Sequence, residues 1–208
     1  MKAKLIAIVG GSGSGKTWLA EYLVQQLEGA AGRISLDDFY RDLSHLSAEE
    51  RAGVNFDRPG AIDWELFSRT LGRIRRGLPT TLPRYDFGTH ARSEEQRPWS
   101  PQPLVILDGL WLLRRETLRR MLSLSVFLEC SEETRLARRL HRDQTLRKRS
   151  TESIRRQFEE QVRPMHRRYV DGQAAVAEMV IPVDSLNERL PELVNRCREI
   201  LKSSHIHP

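Results

Sequence analysis

LIAIVGGSGSGKT, residues 5–17, joins two signals that few folds combine. Its first five residues form an unbroken apolar run, the mark of a strand covered on both faces. The rest carries Gly10, four residues, and then Gly15-Lys16-Thr17, which is the Walker A spacing between a strand and a helix. Glycines at those positions let the backbone fold so that its N–H groups converge on a phosphate. Lys16 adds positive charge there, and the Thr17 hydroxyl can ligate Mg²⁺. Gly10, Gly11, Ser12, Gly13, Ser14, Gly15, Lys16 and Thr17 are accordingly the candidate cradle for the phosphates of a nucleotide. The Lys-Thr ending sets the loop apart from a dinucleotide-binding turn.

Outward from that loop, short apolar runs alternate with longer helix-like segments. Residues 33–36, 104–107, 124–129 and 179–181 read as further strands. The alternation predicts an α/β protein of the P-loop NTPase fold, with a parallel sheet of about five strands flanked by helices. Several helix starts are readable. Asp63 precedes Trp64, Phe67, Leu71 and Ile74 on one face, Ser131 precedes Leu136 and Leu140, and Ser185 with Glu188 has the form of a capping box. These helices are expected to cover the sheet with their apolar faces. Residues 51–63 and 77–103, rich in Pro, Gly and polar side chains, break the rhythm and read as long loops, of a kind that is functional or disordered.

The 208 residues suffice for one substantial domain, and 39% hydrophobic with 30% charged residues is an ordinary balance for a soluble globular protein. No apolar run approaches the roughly 20 residues of a membrane span. The apolar stretch near the N-terminus runs into the glycine loop rather than a cleavage site, so no secretory signal is expected and the predicted location is cytoplasmic. Cys130 and Cys197 lie far apart without a Cys-x-x-Cys, which predicts reduced thiols with neither disulfide nor metal cluster. A net charge of +6 points to an anionic partner: nucleic acid, membrane surface or a phosphorylated small molecule. Much of the excess lies in residues 135–168, where arginines alternate with apolar residues at helical spacing around Asp143. By itself this reads as a solvated helix face.

Asp108 follows the run 104–107 directly, where an acid would meet a metal ion at the glycine loop, the Walker B role. The second strand leads into Asp37-Asp38, which brings further carboxylates to the same sheet edge. Acids at two strand ends beside a phosphate loop point to chemistry on a γ-phosphate, with one acid accepting the proton of an attacking hydroxyl.

The segments GGSGSGKT, DDFYRDL, VNFDRPGAID, PRYDFGTHAR, ILDGLWLL, RRLHRD and RKRSTESIRRQFEEQVRPMH, in that order between about residues 5 and 182, together resemble the uridine kinase (uridine-cytidine kinase) family. The resemblance implies a single P-loop kinase domain over residues 1–208, with acceptor-site insertions at 51–103 and an arginine-rich lid at 142–152. It implies transfer of the γ-phosphate of ATP or GTP, with Mg²⁺, to the 5′-hydroxyl of uridine or cytidine, giving the monophosphate in pyrimidine salvage. In that likeness Asp37 matches the general base next to the metal, while Lys16, Thr17 and Asp108 match phosphate- and metal-binding positions. The implied metal set is Thr17, Asp37 and Asp108. Asp57 matches a carboxylate that binds the ribose hydroxyls, since a carboxylate can accept hydrogen bonds from both members of a diol. Tyr85 and His90 match contacts to the base. Arg139 and Gln157 match acceptor-side contacts and Arg149 a nucleoside contact at the lid edge. Arg142 and Arg147 match phosphate-facing arginines, which put positive charge over the transferring group. The implied partner is a small nucleoside, with neither nucleic acid nor membrane; the resemblance allows a homo-oligomer, for which the residues themselves show no interface.

The chain departs from the family pattern at four places. Asp108 stands where Glu is usual, so its shorter side chain is expected to reach the metal through water. Leu146-Arg147-Lys148-Arg149 replaces a lid that usually reads Glu-Arg-Gly-Arg, Asp171-Gly172-Gln173 replaces Pro-Thr-Lys, and Arg58-Pro59-Gly60-Ala61 replaces Asp-Pro-Asp-Ala or a similar turn. Rival readings are a P-loop kinase for another alcohol, of phosphoribulokinase-like or pantothenate kinase-like type, against which Tyr85 and His90 count, and a nucleic-acid-binding NTPase. The latter would set aromatics among the arginines of 135–156, where none is interleaved. A guanine-reading switch would need Asn-Lys-x-Asp or Thr-Lys-x-Asp, and the sequence has neither.

Overall fold

A run that is apolar at every position suits only an inner strand, and Lys4–Gly10 (β1) lies at the centre of a parallel sheet. The computed structural model describes residues 2–203. After β1 come α1 (Lys16–Gln26), β2 (Ala31–Ser35), α2 (Ala48–Ala52) and α3 (Trp64–Arg75). Four short strands follow, β3 (Thr80–Leu82), β4 (Tyr85–Asp86), β5 (Ala91–Arg92) and β6 (Arg97–Trp99), and then β7 (Leu104–Gly109). The chain continues through α4 (Glu116–Arg119), β8 (Leu124–Glu129), α5 (Glu132–Arg147), α6 (Thr151–Gln157), α7 (Arg163–Tyr169), β9 (Met179–Pro182) and α8 (Leu186–Lys202).

The five-stranded sheet has the order β2-β7-β1-β8-β9, and every neighbouring pair is parallel. Side chains of β1 alternate between two cores. Ile6 and Ile8 pack with Leu19 and Leu23 of α1 and with Leu193 and Cys197 of α8, while Leu5, Ala7 and Val9 join Phe67, Leu71 and Ile74 of α3 and Trp111. Because the chain leaves the central strand β1 and returns on either side of it, the carboxyl ends of β1, β7 and β8 open a crevice. The glycine loop lies at its floor.

Several sequence expectations meet their physical cause here, and others are corrected. Asp63 caps α3 by accepting from the Leu66 N–H at 2.9 Å, and Ser131 caps α5 by accepting from Thr134 N at 3.2 Å. The capping box expected at Ser185 does not form. Its hydroxyl donates instead to the Pro182 carbonyl at 3.1 Å, because the chain enters α8 from a 3-10 turn rather than an extended segment. The second strand runs Ala31–Ser35 rather than 33–36, since Leu36 already opens a 3-10 turn, Leu36–Phe39, in which Ser35 Oγ accepts from Asp37 N at 3.3 Å. The largest correction concerns α5. Leu136 and Leu140 are only partly buried, and the buried positions are Arg135, Arg139 and Asp143, a polar stripe at i, i+4 and i+8. Of the three, Arg139 borders the crevice, while Arg135 and Asp143 are buried beside it.

The long loop expected at 77–103 contains an interrupted hairpin, with β3 paired to β6 and, nested inside, β4 to β5. It lies against the edge strand β2. A Cβ on Gly32 would stand 2.3 Å from the Trp99 ring, so only glycine allows this contact. The other irregular stretch, 51–63, holds the end of α2 and a 3-10 turn at Pro59–Ala61. Cys130 and Cys197 are free thiols, and no helix among the described residues is long and apolar enough to cross a membrane.

Candidate functional site

The glycine loop between β1 and α1 adopts backbone angles that glycine alone takes easily. Gly13 and Gly15 have φ of 84° and 96°, and a Cβ on Gly13 would lie 2.5 Å from the Arg135 carbonyl. Lys16 Nζ donates to the Gly11 carbonyl at 2.9 Å, closing the loop on itself. Burial lowers the Lys16 pKa, while Asp37 and Asp108 oppose that shift. Behind the loop, Thr17 Oγ1 donates to Asp108 Oδ2 at 3.2 Å. Arg33 of β2 clamps the same carboxylate, with Nε 2.8 Å from Oδ1 and Nη2 3.3 Å from Oδ2. Asp108 is 2% exposed, so this bidentate pair fixes the orientation of a shorter acid in a position that faces Thr17.

Asp37 sits in the 3-10 turn after β2. Burial raises its pKa to about 6, against the pull of Lys16 and with smaller help from Asp108 and Asp38. Asp38, one residue on, turns to other company: burial raises its pKa too, but its counter-charges are Arg97 of the hairpin and Arg33. The two acids therefore serve different surroundings. Thr17, Asp37 and Asp108 form a set of hard oxygen donors, which is the chemistry Mg²⁺ prefers.

Opposite the loop stands a wall from the irregular stretches. Tyr85 is 5% exposed, and its hydroxyl has no hydrogen-bond partner among the described residues. His90, held at φ 53°, stacks on Phe56 with ring centres 4.5 Å apart and planes 12° from parallel, and its Nδ1 is likewise buried without a partner. Burial, then Arg147 and Arg149, lower the His90 pKa, which keeps the ring neutral. Asp57 lies between wall and loop in an Asx turn, its N–H donating to Asn55 Oδ1 at 2.9 Å. Burial raises its pKa, with Arg139 and Arg142 opposing.

The third side is α5 and the segment after it. Arg139 Nη1 donates to Ser12 Oγ at 3.0 Å, and its Nη2 shares Gln157 Oε1 with Arg149 Nη1, at 2.8 and 2.7 Å. Arg147 lies 4.8 Å from the Phe87 ring centre. Arg142 donates to Asp143 at 2.8 Å.

Together these walls enclose one cleft of about 1670 Å³, bordered by Ser12, Gly13, Gly15, Lys16, Thr17, Asp37, Asp57, Tyr85, His90, Arg139, Arg142, Arg147, Arg149 and Gln157. Gly10, Gly11, Ser14 and Asp108 stand behind that surface and act on it through backbone and neighbours. Sequence reasoning missed Arg33, Phe56 and Asp143. The signal for Asp143 was a lone acid within a helical run of arginines; for Arg33 there was none, because its partner is 75 residues away.

Phosphoryl transfer asks a protein for a held triphosphate, a proton acceptor near the incoming oxygen and positive charge over the group in flight. A cleft with a Walker A floor, a carboxylate beside Lys16 and arginines overhead on a parallel α/β sheet defines a P-loop kinase, an ATP-dependent enzyme. The chain belongs to the phosphoribulokinase / uridine kinase family, whose model matches residues 5–189. It is 35% identical to a uridine kinase of Staphylococcus carnosus (strain TM300), across 92% of this chain and 96% of that one. It is 36% identical to a uridine kinase of Deinococcus deserti, across 88% and 89%. Among solved structures it is similar in fold to a putative fructose transport system kinase from Silicibacter sp. TM1040, with a TM-score of 0.69 at 20% identity over 87% of this chain and 90% of that one. Phosphoribulokinase from Rhodobacter spheroides shares the fold with a TM-score of 0.65 at 16% identity, over 87% and 70%.

Proposed function

We propose that the protein is a pyrimidine ribonucleoside kinase, which moves the γ-phosphate of ATP, or of GTP as a second donor, to the 5′-hydroxyl of uridine or cytidine. The observation that carries this reading is the acceptor wall: a buried tyrosine hydroxyl and the buried nitrogen of an imidazole stacked on Phe56, both without a hydrogen-bond partner among the described residues, beside a carboxylate. Unpaired polar groups of that kind are costly unless a ligand completes them, and a base joined to a vicinal diol has the matching shape and polarity. Relatives named uridine kinase, 32–36% identical along most of the chain, support the same assignment.

In this reading residues 51–103 build the acceptor side and 142–152 form the lid. The glycine loop and Lys16 hold the β- and γ-phosphates, and Asp37 accepts the proton of the 5′-hydroxyl as the oxygen attacks. Arg142 and Arg147 place positive charge over the transferring group. Thr17, Asp37 and Asp108 would hold Mg²⁺, which when bound neutralises charge on the phosphate oxygens. Asp57 holds the ribose hydroxyls, Tyr85 and His90 the base, and Arg139, Arg149 and Gln157 fix the acceptor from the lid side.

Incubation of the purified protein with Mg·ATP and uridine, cytidine, purine nucleosides, ribulose phosphate or pantothenate, read by mass of the product, tests the assignment. Uridine and cytidine monophosphates are expected. Phosphorylation confined to ribulose phosphate or pantothenate would overturn it. The diol contact has its own check. Asp57→Ala removes a charged hydrogen-bond acceptor, so KM for ribonucleosides rises by about 10- to 100-fold. The 2′-deoxynucleosides, lacking one of the two hydroxyls, suffer less, and equal losses for both would remove Asp57 from the ribose.

A further inference from the structure

One buried carboxylate has no part in the chemistry above. Asp143 of α5 has no exposed surface, and four guanidinium groups face it. Arg142 Nε lies 2.8 Å and Arg147 Nη1 3.5 Å from Oδ1, while Arg139 Nε lies 3.5 Å and Arg149 Nη1 3.7 Å from Oδ2. The two oxygens are in different states. Oδ1 accepts a hydrogen bond from Arg142, whereas Oδ2 and the Arg139 Nε opposite it both lack a hydrogen-bond partner among the described residues. They face each other as an ion pair at 3.5 Å that is not a hydrogen bond.

This division corresponds in part to the two halves of the cleft, with crossings: Arg142 also acts on Asp57, Arg147 also lies on the Phe87 ring, and Arg139 also donates to Ser12 of the glycine loop. Arg142 and Arg147 lie within electrostatic reach of Asp37, and Arg142 of Lys16 as well. Arg139 is paired electrostatically with Asp57, and with Arg149 it shares Gln157. The backbone carbonyl of Asp143 also accepts from the N–H groups of Lys148 and Arg149, at the left-handed turn that ends α5. Both the charge and the chain of the lid are therefore anchored at one residue.

We propose that Asp143 is a positioning residue that couples the two halves of the cleft: it divides one negative charge between the phosphate-side and the acceptor-side arginines, so that filling the donor half tightens the acceptor half. The inference rests on the nucleoside kinase reading above. A bound triphosphate offers Arg142 and Arg147 several anionic oxygens and draws them from Oδ1. The carboxylate is then free to close on Arg139 and Arg149, which fixes Arg139 and Gln157 beside Asp57. By linkage the acceptor strengthens donor binding by the same factor.

Equilibrium titration of uridine, with and without Mg²⁺ and the non-hydrolysable imido analogue of ATP, reads the coupling directly. Wild-type protein is expected to bind uridine about 5- to 50-fold tighter when the analogue is present. In Asp143→Asn that ratio falls to about one, with uridine weak in both conditions. Arg142→Gln lowers the ratio from the opposite side, because Oδ1 loses its hydrogen-bonded partner and keeps only Arg147 at 3.5 Å, so uridine binds more tightly than to wild type without donor. This second variant keeps the buried carboxylate and decides the matter if Asp143→Asn does not fold. Retention of the wild-type ratio in a folded Asp143→Asn, or donor-free binding of uridine by Arg142→Gln no tighter than by wild type, would overturn the coupling. Wild-type protein that binds no uridine at all takes down the nucleoside reading and the coupling with it, whereas uridine binding that ignores the donor removes the coupling alone.

Discussion

Lys16→Ala is expected to lower kcat by about 10²- to 10³-fold while the protein stays folded, the size of loss seen when one preorganised charge-stabilising donor is removed. Two effects add. The cation that meets the developing charge on the phosphates disappears, and Asp37 loses the largest influence holding its pKa down, so the proposed base becomes harder to ionise. The fold has little at stake. Lys16 sits at the first turn of α1, and its one side-chain hydrogen bond among the described residues is to the Gly11 carbonyl within the same loop. The core beneath is made by Leu19, Ala20 and Leu23, which the substitution leaves in place. Thermal unfolding and circular dichroism close to wild type, together with the lost turnover, are the expected combination. Near-normal turnover in the folded variant would remove the phosphate assignment.

Asp37→Asn is expected to cost about 10²- to 10⁴-fold in kcat with nucleoside binding largely kept, because a general base acts in the transition state. Asp38→Asn should be far milder. The structure separates these neighbours by their surroundings: Asp37 lies with Lys16 and Arg142, Asp38 with Arg97 and Arg33. A pH profile sharpens the test. With its pKa raised from 3.8 to about 6, Asp37 loses its basicity as pH falls through about 6, so wild-type activity declines on that acid limb. Bound Mg²⁺ moves the limb lower, since a cation favours the charged form. The same shift has a consequence for stability with a definite sign. A carboxylate whose folded pKa lies above its unfolded value is penalised when ionised, so wild type loses stability relative to Asp37→Asn as pH rises from about 4 to about 6, and keeps that deficit above it. Asp37→Asn should therefore melt higher than wild type at pH 7. A severe loss in Asp38→Asn with a mild one in Asp37→Asn would exchange their roles.

Asp143 and Arg33 mark where reading along the chain stops. Periodicity treats the apolar positions of a helix as its inward face, and for α3 that holds: Asp63 caps it, and Phe67, Leu71 and Ile74 are buried. For α5 it points the wrong way, because the helix turns Arg138, Arg139, Arg142 and Arg147 toward the cleft and buries Arg135 and Asp143 beside them. The failed capping box at Ser185 has a similar origin, since motif spacing says nothing of the direction from which the chain arrives.

What the sequence alone determined is what neighbours in the chain can specify. The glycine loop, the apolar strands and the rhythm of strand and helix depend on local backbone freedom and on burial that repeats with a short period, so the parallel P-loop sheet was legible from the residues. Only the tertiary structure decided which charges meet. Arg33 finds Asp108 across 75 residues and Arg139 finds Ser12 across 127, contacts whose existence depends on which strand ends and helix faces the folded core brings together. Such pairings carry no period and no spacing, and their electrostatics exist only once water has been excluded around them.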